Sequence, residues 1–191
     1  MPLNLPNILT WMRIMLIPLI VAVYYLPADW LNPHEQNQVA VLIFALAALT
    51  DWADGYLARV LNQTSAFGAF LDPVADKLMV AAALILLVKL GRVDAVIALI
   101  IIGREIAISA LREWMAKIGD SRSVAVSFIG KLKTTAQMIA IVFLLYWDEL
   151  AGIDLQMIGT WLIYIAAILT LWSMIYYMKM AVPRVKRDKQ A

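Results

Sequence analysis

The sequence predicts an all-α membrane protein of six transmembrane helices with both termini in the cytoplasm. Three observations carry that prediction. Hydrophobic residues make up 63% of the 191 residues, whereas soluble domains hold roughly 45–50% apolar residues. Six segments approach the ~20 apolar residues that a helical span requires. The segments between them alternate in charge, as cytoplasmic and external loops do.

The spans run 8–26, 39–58, 67–90, 93–111, 134–147 and 158–178. The first could pass for a signal peptide, but its leading residues are uncharged and no small-x-small site follows it. It is therefore expected to stay. Met1–Asn7 is too short to span and is expected to lie along the interface. The fifth segment is short and needs residues before Thr134 to complete it. Together they form one membrane domain over residues 1–191.

Lysine and arginine are absent between spans one and two, where Asp29, His34 and Glu35 lie. They are absent again between spans five and six, which hold Asp148, Glu149 and Asp154. They gather at Arg112, Lys117, Arg122, Lys131 and Lys133, and in the tail from Lys179 to Lys189. The turn with Lys89 and Arg92 breaks the pattern, because it should face outward. Trp30, Trp147, Trp172, Tyr176 and Tyr177 fall near span ends and suit an interfacial aromatic belt. A net charge of +2 gives no sign of nucleic-acid binding, and with no cysteine there is neither a disulfide nor a thiolate metal site.

Carboxylates inside spans are the anomaly. Each costs at least ~2.5–3.5 kcal/mol on insertion scales. Asp51 and Asp54 are three apart at the end of the second span, and Asp72 and Asp76 are four apart in the third. Either spacing stacks two side chains on one helical face. Pro73 fits best in the first turns of a helix, which would put Asp72 near the start of span three. Four like charges so close oppose folding unless cations intervene. Hard oxygen donors without His or Cys favour Mg²⁺, Mn²⁺ or Ca²⁺ over zinc. The alternative is packing salt bridges to Arg59, Lys77, Arg104, Arg112, Lys131 or Lys133. Small residues, Ala53, Gly55, Ala58, Gly68 and Ala69, interleave with the acids and suit close helix packing or backbone approach to a ligand.

The run Asp51-x2-Asp54-Gly55-x2-Ala58-Arg59-x8-Gly68-x3-Asp72-x3-Asp76 resembles the signature of the CDP-alcohol phosphatidyltransferases at every fixed position. Pro6-Asn-Ile-Leu-Thr-x-x-Arg13, Gly103-Arg-Glu-Ile106 and Gly130-Lys-Leu-Lys-Thr-Thr-Ala-Gln137 extend the resemblance along nearly the whole chain. They are most similar to bacterial members that use glycerol 3-phosphate as acceptor. The resemblance implies transfer of a phosphatidyl group from CDP-diacylglycerol to glycerol 3-phosphate, releasing CMP. It implies two Mg²⁺ or Mn²⁺ ions held by Asp51, Asp54 and Asp72. Asp76 is implied as general base and also as a contact to metal. Gly55, Ala58, Arg59 and Gly68 would line the cytidine pocket, and Asn7, Thr10 and Arg13 would face the CDP-lipid phosphates. A homodimer in the bacterial inner membrane, with its site toward the cytoplasm, is likewise implied.

The acceptor is a dianion, and arginine suits its phosphate. Lys77, Arg104, Arg112, Lys131, Lys133 and Thr134 are the candidates. Arg104 lies inside a span, where a charge rarely stands without a function. Glu105, about 100° from it around the helix, is expected to orient another cation. Asn7 is a candidate cap for the first helix. Other readings are the same chemistry on another alcohol, such as inositol phosphate, a cation transporter lined by the acids, or a structural membrane protein with buried ion pairs.

Overall fold

Helix starts and stops follow local chemistry that the sequence carries. The computed structural model describes residues 5–60, 66–117 and 128–188; among the helical residues, the side chains at 5–7, 52, 54–60, 66, 67, 69, 112, 116, 117, 128–131, 177 and 180–188 lie outside that description. The described residues form α1 (Leu5–Val23), α2 (Pro33–Val60), α3 (Ala66–Lys89), α4 (Ala95–Lys117), α5 (Phe128–Tyr146) and α6 (Leu155–Asp188).

Asn32 caps α2, with Pro33 as its first residue. The Asn32 side chain accepts from the Glu35 backbone N–H at 3.0 Å, and Glu35 accepts from the Asn32 N–H at 2.8 Å. This reciprocal box satisfies two otherwise orphaned donors. Asp94 and Asp154 cap α4 and α6 in the same way, accepting from Val96 and Met157. Gly91, with φ +70°, stops α3. The Arg92 N–H then reaches back to the Leu87 carbonyl at 2.9 Å, the closing bond of a Schellman turn.

Several expected boundaries move. The first helix starts at Leu5, so part of the expected interfacial segment is its opening turn, and Asn7 is a helical residue rather than a cap. Helix α3 starts at Ala66, so Pro73 lies inside it, beyond the first turns. The proline removes one i→i−4 hydrogen bond, and the helix continues through it because its packing holds both halves. The residues before Thr134 do extend the fifth segment. A two-residue hairpin joins α5 to α6, pairing Glu149–Leu150 (β1) with Ile153–Asp154 (β2). Ala151 and Gly152 turn it with positive φ values, as a tight right-twisted hairpin requires.

The helices close into a ring. In order of packing it runs α1, α2, α5, α6, α4, α3 and back to α1. Ile20, Phe44, Leu84, Leu87, Ile101, Ile141, Leu144 and Ile163 fill its centre. Gly159 lets α6 approach α5 closely: a Cβ there would stand 3.0 Å from Leu144 Cγ. The outward faces are apolar too, with Leu42, Leu49, Ile85, Leu99, Ile106, Trp161, Ile168 and Ile175 exposed. The stretch Leu155–Tyr176 is long and apolar enough by itself to cross a membrane, and Ile8–Val23 and Leu132–Tyr146 are shorter apolar helices.

One end of the ring is capped by Arg92. Its guanidinium donates to the carbonyls of Leu144 and Leu145 at 3.0 and 2.9 Å and to Asn37 Oδ1 at 2.8 Å. It also stacks over Trp147, 4.9 Å from the ring centroid. Burial lowers its pKa from the ordinary arginine value, while Tyr24 and Asp148 pull it back up. Lys89 sits over the Tyr25 ring at 3.5 Å. Both basic residues of the anomalous turn are therefore held by structure: one ties off the carbonyls ending α5, and the other makes a cation–π contact. Replacing Arg92 with leucine should cost about 1–3 kcal/mol by leaving the Leu144 and Leu145 carbonyls without their donor, while Asn37 keeps Tyr24. A lower Tm with unchanged activity per folded molecule is the expected result, read by thermal unfolding of purified protein.

Candidate active site

The opposite end of the ring opens into a cavity of about 950 Å³, at the upper part of the range for ligand pockets. Helices α1, α2 and α3 form its acidic side. Arg13 projects from α1 and is only 1% exposed. Its Nη1 lies 2.9 Å from Asp51 Oδ1 on α2 and 2.5 Å from Asp76 Oδ1 on α3. One turn earlier on α1, the Thr10 hydroxyl donates to Asp72 Oδ1 at 2.6 Å. Thr10 and Arg13 are three residues apart, so both reach the same side. Three of the four motif aspartates are thus gathered by two residues of the first helix.

Helices α4 and α5 form the other side, with α6 behind them. Arg104 is 7% exposed; it donates to Ser173 Oγ on α6 at 3.0 Å and to Glu105 Oε1 at 3.3 Å. The same Glu105 oxygen accepts from Lys133 Nζ of α5. Lys77, one residue past Asp76, reaches across to the Ser109 hydroxyl. Arg13, Asp51, Asp76, Lys77, Arg104 and Glu105 all line the cavity. Acids and cations therefore share one space, with Arg13 paired to Asp51 and Asp76 on one side and Arg104 paired to Glu105 on the other.

The structure sorts the expected site residues. Thr10 and Arg13 contact the aspartates directly, and Gly68 is buried near the start of α3. Lys77, Arg104 and Thr134 line the cavity. Lys133 is almost fully buried against Glu105 and does not line it. Glu105 orients a second cation, as its position around the helix suggested. The side chains of Asn7, Asp54, Gly55, Ala58, Arg59, Arg112 and Lys131 lie outside the described residues. Among the described residues, no three acidic, His or Cys side chains converge closely enough to hold one ion.

The model of the CDP-alcohol phosphatidyltransferases matches residues 3–172. The chain belongs to that family. Proteins of Salmonella choleraesuis (strain SC-B67) and Escherichia coli (strain K12) are each 51% identical to it over 187 residues, which is 95% of this chain and 96% of theirs. Both carry the name CDP-diacylglycerol–glycerol-3-phosphate 3-phosphatidyltransferase. As a CDP-alcohol phosphatidyltransferase, the chain sets Asp51 and Asp76 of its aspartate signature in the cavity lining.

Sequence reading passed over Ser109, Glu113, Ser173 and Gln137 as site residues. A signal for two of them was present. Glu105, Ser109 and Glu113 recur every four residues in an apolar helix, which draws a polar stripe down one face. Ser173 has no such companion spacing. A double-mutant cycle on Glu105→Gln and Lys133→Met should return a coupling of about 0.5–3 kcal/mol in unfolding free energy. Strict additivity would show that the contact contributes nothing.

Proposed function

We propose that this protein transfers the phosphatidyl group of CDP-diacylglycerol to glycerol 3-phosphate, forming phosphatidylglycerophosphate and CMP. The observation that carries this is the cavity, in which the signature carboxylates Asp51 and Asp76 share one space with Lys77 and Arg104. Similarity to relatives of that name over nearly the full length supports it. The six helices span the bacterial inner membrane, with the site and both termini toward the cytoplasm. In support, helices of 28, 24 and 23 residues are about 35–42 Å long at 1.5 Å per residue, enough for a ~30 Å core. The apolar outer faces suit lipid, and the end of α4 and the start of α5 share the site's end. A homodimer is proposed on family resemblance alone.

The donor set suits a hard divalent cation: carboxylate oxygens, no His or Cys, and a guanidinium already seated between two of the acids. Asp51, Asp54 and Asp72, with Asp76 as a further contact, would hold two Mg²⁺ or Mn²⁺ ions, which when bound supply positive charge opposite the phosphoryl oxygens. Gly55, Ala58, Arg59 and Gly68 are assigned to the cytidine, and Asn7 to the CDP-lipid phosphates. Arg104 and Lys77 attract the acceptor phosphate from the cavity wall, joined by Arg112, Lys131 and Thr134, while the buried Lys133 acts from behind through Glu105. Arg13 engages Asp76 through Oδ1, and the carboxylate's Oδ2 takes the proton from the primary hydroxyl of the acceptor. The hydroxyl oxygen bonds to the lipid-side phosphorus. The bond from that phosphorus to the CMP oxygen breaks, and its electron pair leaves with CMP. The acyl chains stay in lipid throughout.

Purified protein given CDP-diacylglycerol and Mg²⁺ should release CMP with glycerol 3-phosphate in preference to inositol phosphate, serine or a second lipid, and EDTA should stop it. A different preferred alcohol would redirect the acceptor assignment, and release that persists in EDTA would remove the metal. Asp76→Asn should lower turnover at saturating metal by about 10²–10⁴-fold, the range for a general base; near-normal turnover would exclude that role.

A further inference from the structure

Gln137 is a buried polar side chain that the reaction above leaves unused. It lies on α5 three residues after Thr134, and both line the cavity. Three residues advance about 4.5 Å along a helix, so Gln137 lies deeper than Thr134, toward the capped end. It is only 3% exposed. Its side-chain oxygen is buried and has no hydrogen-bond partner among the described residues. Around it the lining turns apolar, with Ala47, Met79, Val80, Ile108 and Met138. A buried amide at the edge of an apolar wall carries a desolvation cost that a hydrogen-bonding ligand offsets.

The acceptor has three polar groups in order: a phosphate, a secondary hydroxyl on the middle carbon, and the primary hydroxyl that reacts. The cations of the wall account for the first and Asp76 for the last. Nothing yet meets the middle one. An alcohol hydroxyl both donates and accepts, so it matches a carboxamide whichever of its atoms faces the cavity.

We propose that Gln137 reads the secondary hydroxyl of the acceptor and so selects a glycerol phosphate over a phosphorylated alcohol lacking that group. This rests on the acceptor reading given above. Sites that hydrogen-bond a substrate hydroxyl discriminate strongly against analogues without it, because the buried partner is then left unmet.

The test compares kcat/KM for glycerol 3-phosphate and 3-hydroxypropyl phosphate, which lacks only the middle hydroxyl. The full-length protein is assayed with CDP-diacylglycerol and Mg²⁺. The wild type should favour glycerol 3-phosphate by about 10-fold or more, and Gln137→Leu should lose about 5- to 100-fold on it, with little change on the deoxy acceptor. The ratio of the two values is internal to each preparation, so a partly unfolded sample does not distort it. If the leucine variant fails to fold, Gln137→Met, closer in shape, is read the same way. Equal loss on both acceptors, or a raised KM for CDP-diacylglycerol alone, would place Gln137 elsewhere and overturn the proposal. A wild type that turns over both acceptors equally would also overturn it while leaving the proposed reaction intact. No CMP release by the wild type with either acceptor would instead sink the reaction itself.

Discussion

The arrangement depends on one buried cation, Arg13, held between two carboxylates from different helices. Asp51 and Asp76 meet on it, each with its carboxylate still 46% exposed, while the guanidinium is buried. Burying a guanidinium seldom adds net stability by itself, because desolvation consumes much of the Coulombic gain. Removing one member is costly, however, since it strands the others. Arg13 therefore acts as a register pin. It fixes α1 against α2 and α3 at the level where the signature carboxylates must meet, and Thr10 repeats the function one turn away on Asp72.

The opposite wall solves the converse problem. Arg104 and Lys133 repel each other, and Glu105 sits between them and accepts from both. That local anion keeps the cations on their own side of the cavity. Charge is thus balanced within each wall, and the gap between the walls is left for an anionic ligand and its counterions.

Much of this was legible in the sequence, and the rest was hidden for physical reasons. Apolar length located all six helices, and spacing alone put the aspartates in pairs. Local caps were equally readable: Asn32-Pro33-His34-Glu35 states where α2 begins, well before its apolar run. Partners distant in the chain were not. Arg13 and Asp76 are 63 residues apart, and nothing local to either names the other; lysines and arginines nearer the motif were the natural candidates, and Arg13 was expected to face lipid phosphates. Pro73 misled because the penalty for interior proline is an average that good packing overrides. Arg92 violated the charge rule because that rule concerns solvated loop charge, whereas this guanidinium is spent on α5 carbonyls and Asn37.

The Arg92 cap bears on the membrane as well as on the fold. Between it and the carboxylates lie Leu84, Leu87, Ile101 and Leu144, each fully buried. On the proposed orientation, this layer of buried apolar side chains separates the charged groups at one face from the Arg92 end. Such a ring can handle ions and shuttle protons at one face while remaining an insulator. A cell could fill its membrane with copies of it and lose none of its proton-motive force.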